Sequence, residues 1–565
     1  MTIWVRTRRA RKIELMSNSM LRLAELRVPL DSDDATLEAA IRDRLGAEAD
    51  HLLRYSVYKR AIDARRKSAI RRSYAVDVEL NDAAAAERLL LRADITRTPD
   101  MTYRFVAHAQ AGPTERPLVI GAGPCGLMAA LVLAQMGFRP IVLERGRAVR
   151  QRTKDTWGLW RRSELDPQSN VQFGEGGAGT FSDGKLYSRI KDRRFLGRKV
   201  LDEFVRAGAP AEILTEAHPH IGTFRLVTMV ESIRATIESL GGEYRFETKV
   251  ADLLIDETAE GRRQLRGVVL DNGEQLLSRH VILAVGHSAR ETFDMLAARG
   301  VFAEQKPFSI GVRIEHPQSL IDRDRWGSFA GHEALGAAEY KLVHHCTEGL
   351  AAGRTVYSFC MCPGGQVVAA TSEAGRVVTN GMSQYSRAER NANSGLVVDL
   401  RPEDFAGYGE GLLGGVAYQR HWESLAYVAG GETYFAPAQR LGDFLAGRAS
   451  TELGSVVPSY QPGVTPTDLS RCLPDFVIAA LREAIPAFGK QIAGYDMDDA
   501  VMTGVETRTS CPLRFTRDPK TYESRNTHGL YPAGEGAGYA GGILSAGVDG
   551  IEAAEALALD IVGRG

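Results

Sequence analysis

The chain has 565 residues, enough for two to four domains at ~150 residues each. Its hydrophobic (44%) and charged (25%) contents are those of an ordinary globular protein, which excludes collagen, coiled coil and wholesale disorder. Lys plus Arg number 70 against 71 for Asp plus Glu, so with a formal charge of -1 no global field recruits nucleic acid or an anionic membrane.

Residues 1–20 carry Arg6, Arg8, Arg9, Arg11 and Lys12 with no apolar run after them, so a disordered tail is expected rather than a secretory signal. Six cysteines, at 125, 346, 360, 362, 472 and 511, are too few and too irregular for a disulfide framework, and the expected compartment is the cytoplasm. Residues 21–110 alternate as strand (21–30), helix (34–45), strand (51–61), strand (68–80), helix (83–93) and strand (102–107), with Asp33-Asp34 and Asn81-Asp82 at the caps. That βαββαβ order suggests a ferredoxin-like domain. Arg65, Arg66, Lys67, Arg71 and Arg72 raise an RNA-binding reading, but a stacking platform needs paired aromatics, and the strand offers only Tyr74.

Residues 117–138 hold no charge over 22 positions, on paper enough to span a membrane. Three glycines and two prolines in their first half argue instead for a buried strand turning into a helix. Leu118–Ile120 is that strand, Gly121-Ala122-Gly123-Pro124-Cys125-Gly126 the turn, 127–136 the helix, and Ile141–Leu143 the next strand, ending in Glu144 and Arg145. Gly121 permits the tight turn, Gly123 leaves room for a diphosphate, and Gly126 lets helix and sheet pack closely. The helix start presents bare N–H groups and partial positive charge to phosphates. Glu144 stands 23 residues after Gly121, where a carboxylate takes ribose hydroxyls. An adenine dinucleotide is the expected ligand.

From 116 onward strands and helices alternate, with helices expected at 195–207, 226–240, 289–299 and 475–484. The fold class expected is α/β: a Rossmann-like FAD-binding domain (111–300 and 501–565) with an inserted α+β substrate or cap domain (301–500), behind the ferredoxin-like domain. The carboxyl end points to FAD rather than NAD. There Leu530-Tyr-Pro-Ala-Gly534-Glu535-Gly536 is a short strand ending in glycine and a carboxylate, followed by Gly541-Gly542-Ile543 and a helix. This second glycine-rich entrance suits a ribityl chain at Glu535 and a pyrimidine edge at Gly541–Ile543.

With these residues the chain is similar to the glutathione-reductase-like FAD superfamily. More narrowly it resembles a bacterial group of FAD-dependent dehydrogenases, of unknown substrate, with an N-terminal ferredoxin-like domain. The segments 174–185 (GEGGAGTFSDGK), 380–383 (NGMS) and 531–542 carry the narrower likeness, which runs from about residue 21 to the end. The superfamily usually has aspartate where Glu535 stands. The resemblance implies that Val250 lies against the adenine and that Ala284-Val-Gly286 closes on the cofactor. The loop Gly174–Gly179, with Gly177, Ala178, Gly179 and Thr180, is expected beside the flavin ring or the diphosphate. No second dinucleotide unit remains in 190–500 for NAD(P)H.

Flavin performs the two-electron step itself, so no residue need be a nucleophile. Polar groups placed near the ring by motif proximity are Glu175, Asp183, Lys185, His287 and Tyr539. His287, because imidazole titrates near neutrality, and Lys185 are the weak catalytic candidates. Arg508, Arg514 and Arg517, around Cys511, suit an anion clamp or, more commonly, salt bridges. Cys360-Met-Cys362 is not expected to be a redox pair. His344-His345-Cys346 lacks a second ligand pair at useful spacing, so no metal is expected. The function expected is an FAD-dependent dehydrogenase or reductase acting on an organic small molecule with an unspecified electron partner. A flavin monooxygenase, and an RNA- or protein-binding protein with structural FAD, are the alternatives.

Overall fold

The structure is a computed structural model that describes residues 19–110, 115–188, 190–409 and 411–564. Apart from Ser19 and Met20, the expected tail lies outside the described residues.

The chain divides into two units. The first holds the residues up to Thr102 with Pro210–Pro219 and Arg325–Gly336. Its strands Met20–Pro29, Leu52–Asp63, Arg71–Leu80 and Ile95–Arg97 form one antiparallel sheet in the order second, third, first, fourth, with helices Asp34–Leu45 and Ala83–Leu89 between them. Both helices start on the expected aspartates: Asp33 Oδ1 accepts from Thr36 N (2.8 Å) and Asp82 Oδ1 from Ala84 N (2.9 Å). The first strand buries Leu21, Leu23, Leu26 and Val28; a bulge between Leu23 and Leu26 keeps the apolar side on the core despite the extra residue. Tyr74 is buried in the same core. The last strand is a correction. It lies at Ile95–Arg97, not 102–107, where Tyr103 instead donates to Glu555 Oε1 (3.0 Å) and meets Phe105 edge-on, within the second unit.

The second unit comprises Tyr103–Ala209, His220–Asp324 and Ala337–Gly565. At its centre is a parallel sheet in the order Leu530–Pro532, Val281–Leu283, Leu118–Ile120, Ile141–Leu143, Glu243–Arg245. The apolar run at 117–138 resolves into the strand Leu118–Ile120 and the helix Pro124–Gln135, whose residues from Cys125 to Ala134 are all buried. Among the described residues no helix is long and apolar enough to cross a membrane. The helix is covered by the C-terminal helix Ile543–Arg564, and the crossing is close because a Cβ on Gly550 would overlap the Cys125 carbonyl.

Residues 301–500, expected to be a separate α+β insertion, supply most of an eight-stranded sheet together with the helices Gly414–Ala429 and Asp475–Gly489. Its long members Phe308–Pro317, Thr355–Ala369 and Asn391–Leu400 pair antiparallel. The expected boundary at 500 falls beside a strand of this sheet, since Val501–Glu506 pairs with Phe308–Pro317; Leu513–Phe515 and Ala303–Gln305 form a separate two-stranded sheet. Apart from Pro210–Pro219 and Arg325–Gly336, the 111–300 and 301–500 portions fall in one compact unit.

Candidate functional site

The first glycine turn is held by its neighbours' backbone. Gly121 sits at φ +99° and has no room for a Cβ against the Ala284 carbonyl, and a Cβ on Gly126 would overlap the Gly121 carbonyl. Gly123 differs: it is extended, and a Cβ there would meet only Gly177 Cα at 3.7 Å. No side chain caps the helix that follows. Glu144, 5% exposed, accepts from Ala122 N (2.8 Å) through Oε2 and from Gly146 N and Gly174 N (both 2.9 Å) through Oε1. One carboxylate thus ties the turn, its own loop and the 174–180 loop together.

That loop is organised by a residue the sequence did not single out. Arg152, fully buried on the helix Val149–Arg162, donates to the carbonyls of Asn170 (2.8 Å), Val171 (2.7 Å), Glu175 (2.7 Å) and Gly177 (2.8 Å). Burial lowers its pKa to about 10, so it stays charged at neutrality. Gly176 N donates to Ala122 O (2.8 Å), and a Cβ on Gly177 would come within 2.8 Å of Gly123 Cα. Gly179 lies on Pro124 and Ile543. Ala178, Gly179 and Thr180 form a short 3-10 turn.

The second glycine turn arrives at the same place. A Cβ on Gly534 would stand 2.9 Å from Cys125 Cβ, and one on Gly536 would stand 2.5 Å from Gly286 O. Gly534 N donates to Asp549 Oδ2 (2.7 Å), and Arg517 holds Asp549. Glu535 Oε1 accepts from Cys511 N (3.0 Å); burial raises this carboxyl to about 7 against the partial opposition of Lys306. Gly542, at φ +98°, turns the chain into the helix Ile543–Arg564. The expected set Gly121–Gly126, Glu144, Gly177–Thr180, Ala284, Gly286, Gly534, Glu535 and Gly541–Ile543 is therefore brought together. Val250, buried, begins a strand beside Glu144, whose carbonyl accepts from Thr248 N (2.9 Å). Arg145 lies over the Phe173 ring (3.9 Å) and donates to Gln168 Oε1.

The polar candidates placed by motif proximity are engaged elsewhere. Glu175 accepts from Val149 N and Arg234 (both 2.8 Å). Asp183 pairs with Arg387. Lys185 Nζ donates to Met361 O; burial lowers its pKa, but Glu339 and other nearby groups outweigh this and leave it raised. Tyr539, 36% exposed, accepts from Arg517 N (3.0 Å) through its hydroxyl. At His287, burial, with Arg508 and Arg290 nearby, lowers the pKa to about 3, and Nδ1 meets Ser288 Oγ at 2.9 Å. The arginines 508, 514 and 517 do not form one clamp. Arg508 joins Arg290 on the buried Glu423, Arg517 holds Asp549, and Arg514 lies over Tyr539.

Three family models match the chain: an FAD binding domain at residues 116–156, an FAD-dependent protein C-terminal-domain-like region at 307–509, and a domain of unknown function at 20–79. An uncharacterized protein of Clostridium beijerinckii is 46% identical over 543 residues, covering 95% of this chain and 98% of that one. The chain belongs to the same family as this clostridial protein. Its cofactor is FAD, and it is an FAD-dependent protein. Among solved structures it is similar to a flavoprotein/dehydrogenase from Cytophaga hutchinsonii (12% identity, 80% of this chain and 79% of that one, TM-score 0.32). It is likewise similar to CtdE in complex with FAD (12%, 80% and 84%, TM-score 0.30).

The residues present fit the cofactor. Gly123 presents bare backbone before an uncapped helix start, and a second glycine turn meets the first at Cys125.

Proposed function

We propose that the protein is a dehydrogenase or reductase that moves a hydride between FAD and an organic small molecule. When bound, the flavin supplies the two-electron chemistry. The chain holds, orients and shields it. The observation that carries the reading is the convergence of two glycine turns more than 400 residues apart, Gly121–Gly126 and Gly534–Ile543, on the 174–180 loop. A nicotinamide-only site needs just the first.

Glu144, Gly123 and the start of Pro124–Gln135, with Gly177–Thr180, would hold the ribose and diphosphate; Val250 and Arg145 would flank the adenine. Ala284 and Gly286 would close over the middle. Glu535 and Gly541–Ile543 would take the ribityl and pyrimidine end. There the helix N-terminus stabilises negative charge by ~0.3–2 kcal/mol. No proton carrier is required of His287, which stays neutral, or of Lys185, whose Nζ keeps its proton. We also read the first unit as ferredoxin-like on its strand order, and the setting as cytoplasmic.

An anaerobic screen of reductants and metabolites on the flavin-loaded protein tests the reading. Loss of the oxidised flavin band with a small organic substrate is expected. NAD(P)H-dependent oxygen consumption with product hydroxylation would replace it with a monooxygenase.

A further inference from the structure

Outside the flavin site, three donors of different chemistry converge on one edge of the large sheet. His344 lies in the strand Val343–His345, the three-residue end member of that sheet, which pairs with Thr355–Tyr357. Cys346 follows it, and its backbone is pinned on both sides by Cys346 N to Arg354 O (2.8 Å) and Gly353 N to Cys346 O (2.9 Å). The third donor, Glu483, comes from the middle of the helix Asp475–Gly489, 139 residues from His344. That distance hides it from any spacing rule.

His344 Nε2 and Glu483 Oε1 are 3.2 Å apart, and the ligand atoms of all three residues lie within 4.8 Å of one another. Tetrahedral zinc, with bonds of ~2.0–2.3 Å, sets its nitrogen and oxygen ligands about 3.4 Å apart. The pair is already close to that spacing, and the sulfur, within 4.8 Å of both, needs a shift of at most about 1 Å to complete the set. The rest of the surroundings support a ligand role. Glu483 is oriented by Thr347 N (2.8 Å) on Oε1 and Glu348 N (3.2 Å) on Oε2, the outer hydrogen bonding that steadies metal-bound carboxylates. Cys346 is 3% exposed, and its thiol contacts the Ala480 carbonyl at 3.8 Å, a weak hydrogen bond that a metal bond would replace.

We propose that His344, Cys346 and Glu483 bind one zinc ion, with solvent water in the fourth position, clipping the short edge strand to the helix Asp475–Gly489. A thiolate, an imidazole and a carboxylate select a borderline-soft divalent cation over magnesium or calcium. On binding, the Cys346 thiol gives its proton to solvent.

The test uses the full flavin-loaded protein, stripped with a chelator and then titrated with zinc alone against a chromophoric competitor, and in parallel with cobalt. The wild type should retain one equivalent of zinc after gel filtration and show the near-ultraviolet sulfur-to-cobalt charge-transfer band. Cys346→Ser should lose that band. His344→Ala and Glu483→Gln should each bind zinc about tenfold or more weaker while keeping their flavin. Absence of the cobalt band in the wild type, or wild-type zinc affinity in all three variants, overturns the proposal.

Discussion

Gly534 and Cys125 touch although 409 positions separate them: a side-chain carbon on the glycine would stand 2.9 Å from the cysteine Cβ. The contact is possible because Gly534 has φ +74° and no side chain, and because Asp549, held by Arg517, fixes its N–H. It sets the distance between the two turns that would grip opposite ends of the FAD.

Two glycines in the first turn should fail in different ways. Gly123→Ala places a Cβ in ordinary contact with Gly177 Cα (3.7 Å) on extended backbone, so the flavin-free protein should keep its stability to within ~0.5 kcal/mol. It should nonetheless lose FAD affinity, because on the proposed reading the diphosphate would approach the backbone there. Gly126→Ala collides with the Gly121 carbonyl and should cost ~1–3 kcal/mol in the flavin-free protein as well. Chemical denaturation and flavin content of both variants check this.

His287 should be silent in pH profiles. Its imidazole is held neutral down to about pH 3 by burial and by Arg508 and Arg290. The pH dependence of flavin reduction between about pH 5 and 8 should therefore be superimposable for His287→Asn and wild type.

The buried Arg290–Glu423–Arg508 cluster should govern acid stability. Burial pushes the Glu423 carboxyl up, but the two guanidiniums outweigh it and hold it well below its ordinary value of 4.5. A folded pKa below the unfolded one contributes stability that is complete above about 4.5 and is withdrawn as pH falls toward the folded value. Glu423→Gln, leaving two buried cations short of their anion, should cost ~3–5 kcal/mol at neutral pH and flatten the acid limb of the stability curve.

Glu535 works in the opposite direction. Raised from 4.5 to about 7 in the cofactor-free fold, it favours the protonated form, so that fold should lose stability as pH rises from about 4.5 through 7. Glu535→Gln should remove this slope. Thermal denaturation of wild-type and variant apoprotein across that range measures it.

The dinucleotide unit was legible because its glycines are required by backbone geometry: Gly121 and Gly126 have no space for a Cβ. The strand Phe308–Pro317 was not legible. It is buried on both faces except at its last residue and carries Arg313, Glu315 and His316 with no exposure, so neither alternation nor an apolar run marks it. Arg313 is satisfied by Glu506, Asn380, Asn393 and the Cys360 carbonyl, partners spread over more than 140 residues. Arg152 looked the same as its neighbour Arg150 on a charge-rich helix; only the fold decides that Arg150 pairs at the surface with Glu231 while Arg152 collects four loop carbonyls. The short strand Ile95–Arg97 is marked by its pairing with Leu21–Leu23, whereas the alternation at 102–107 serves aromatic contacts.

The most direct measurement is the FAD dissociation constant of Gly534→Ala apoprotein beside wild type, followed by flavin fluorescence with circular dichroism as the control for folding. A shared grip by both turns predicts a folded variant that binds FAD at least about tenfold more weakly, ~1.4 kcal/mol or more. Wild-type affinity in that variant would show that the distant turn takes no part in holding the cofactor.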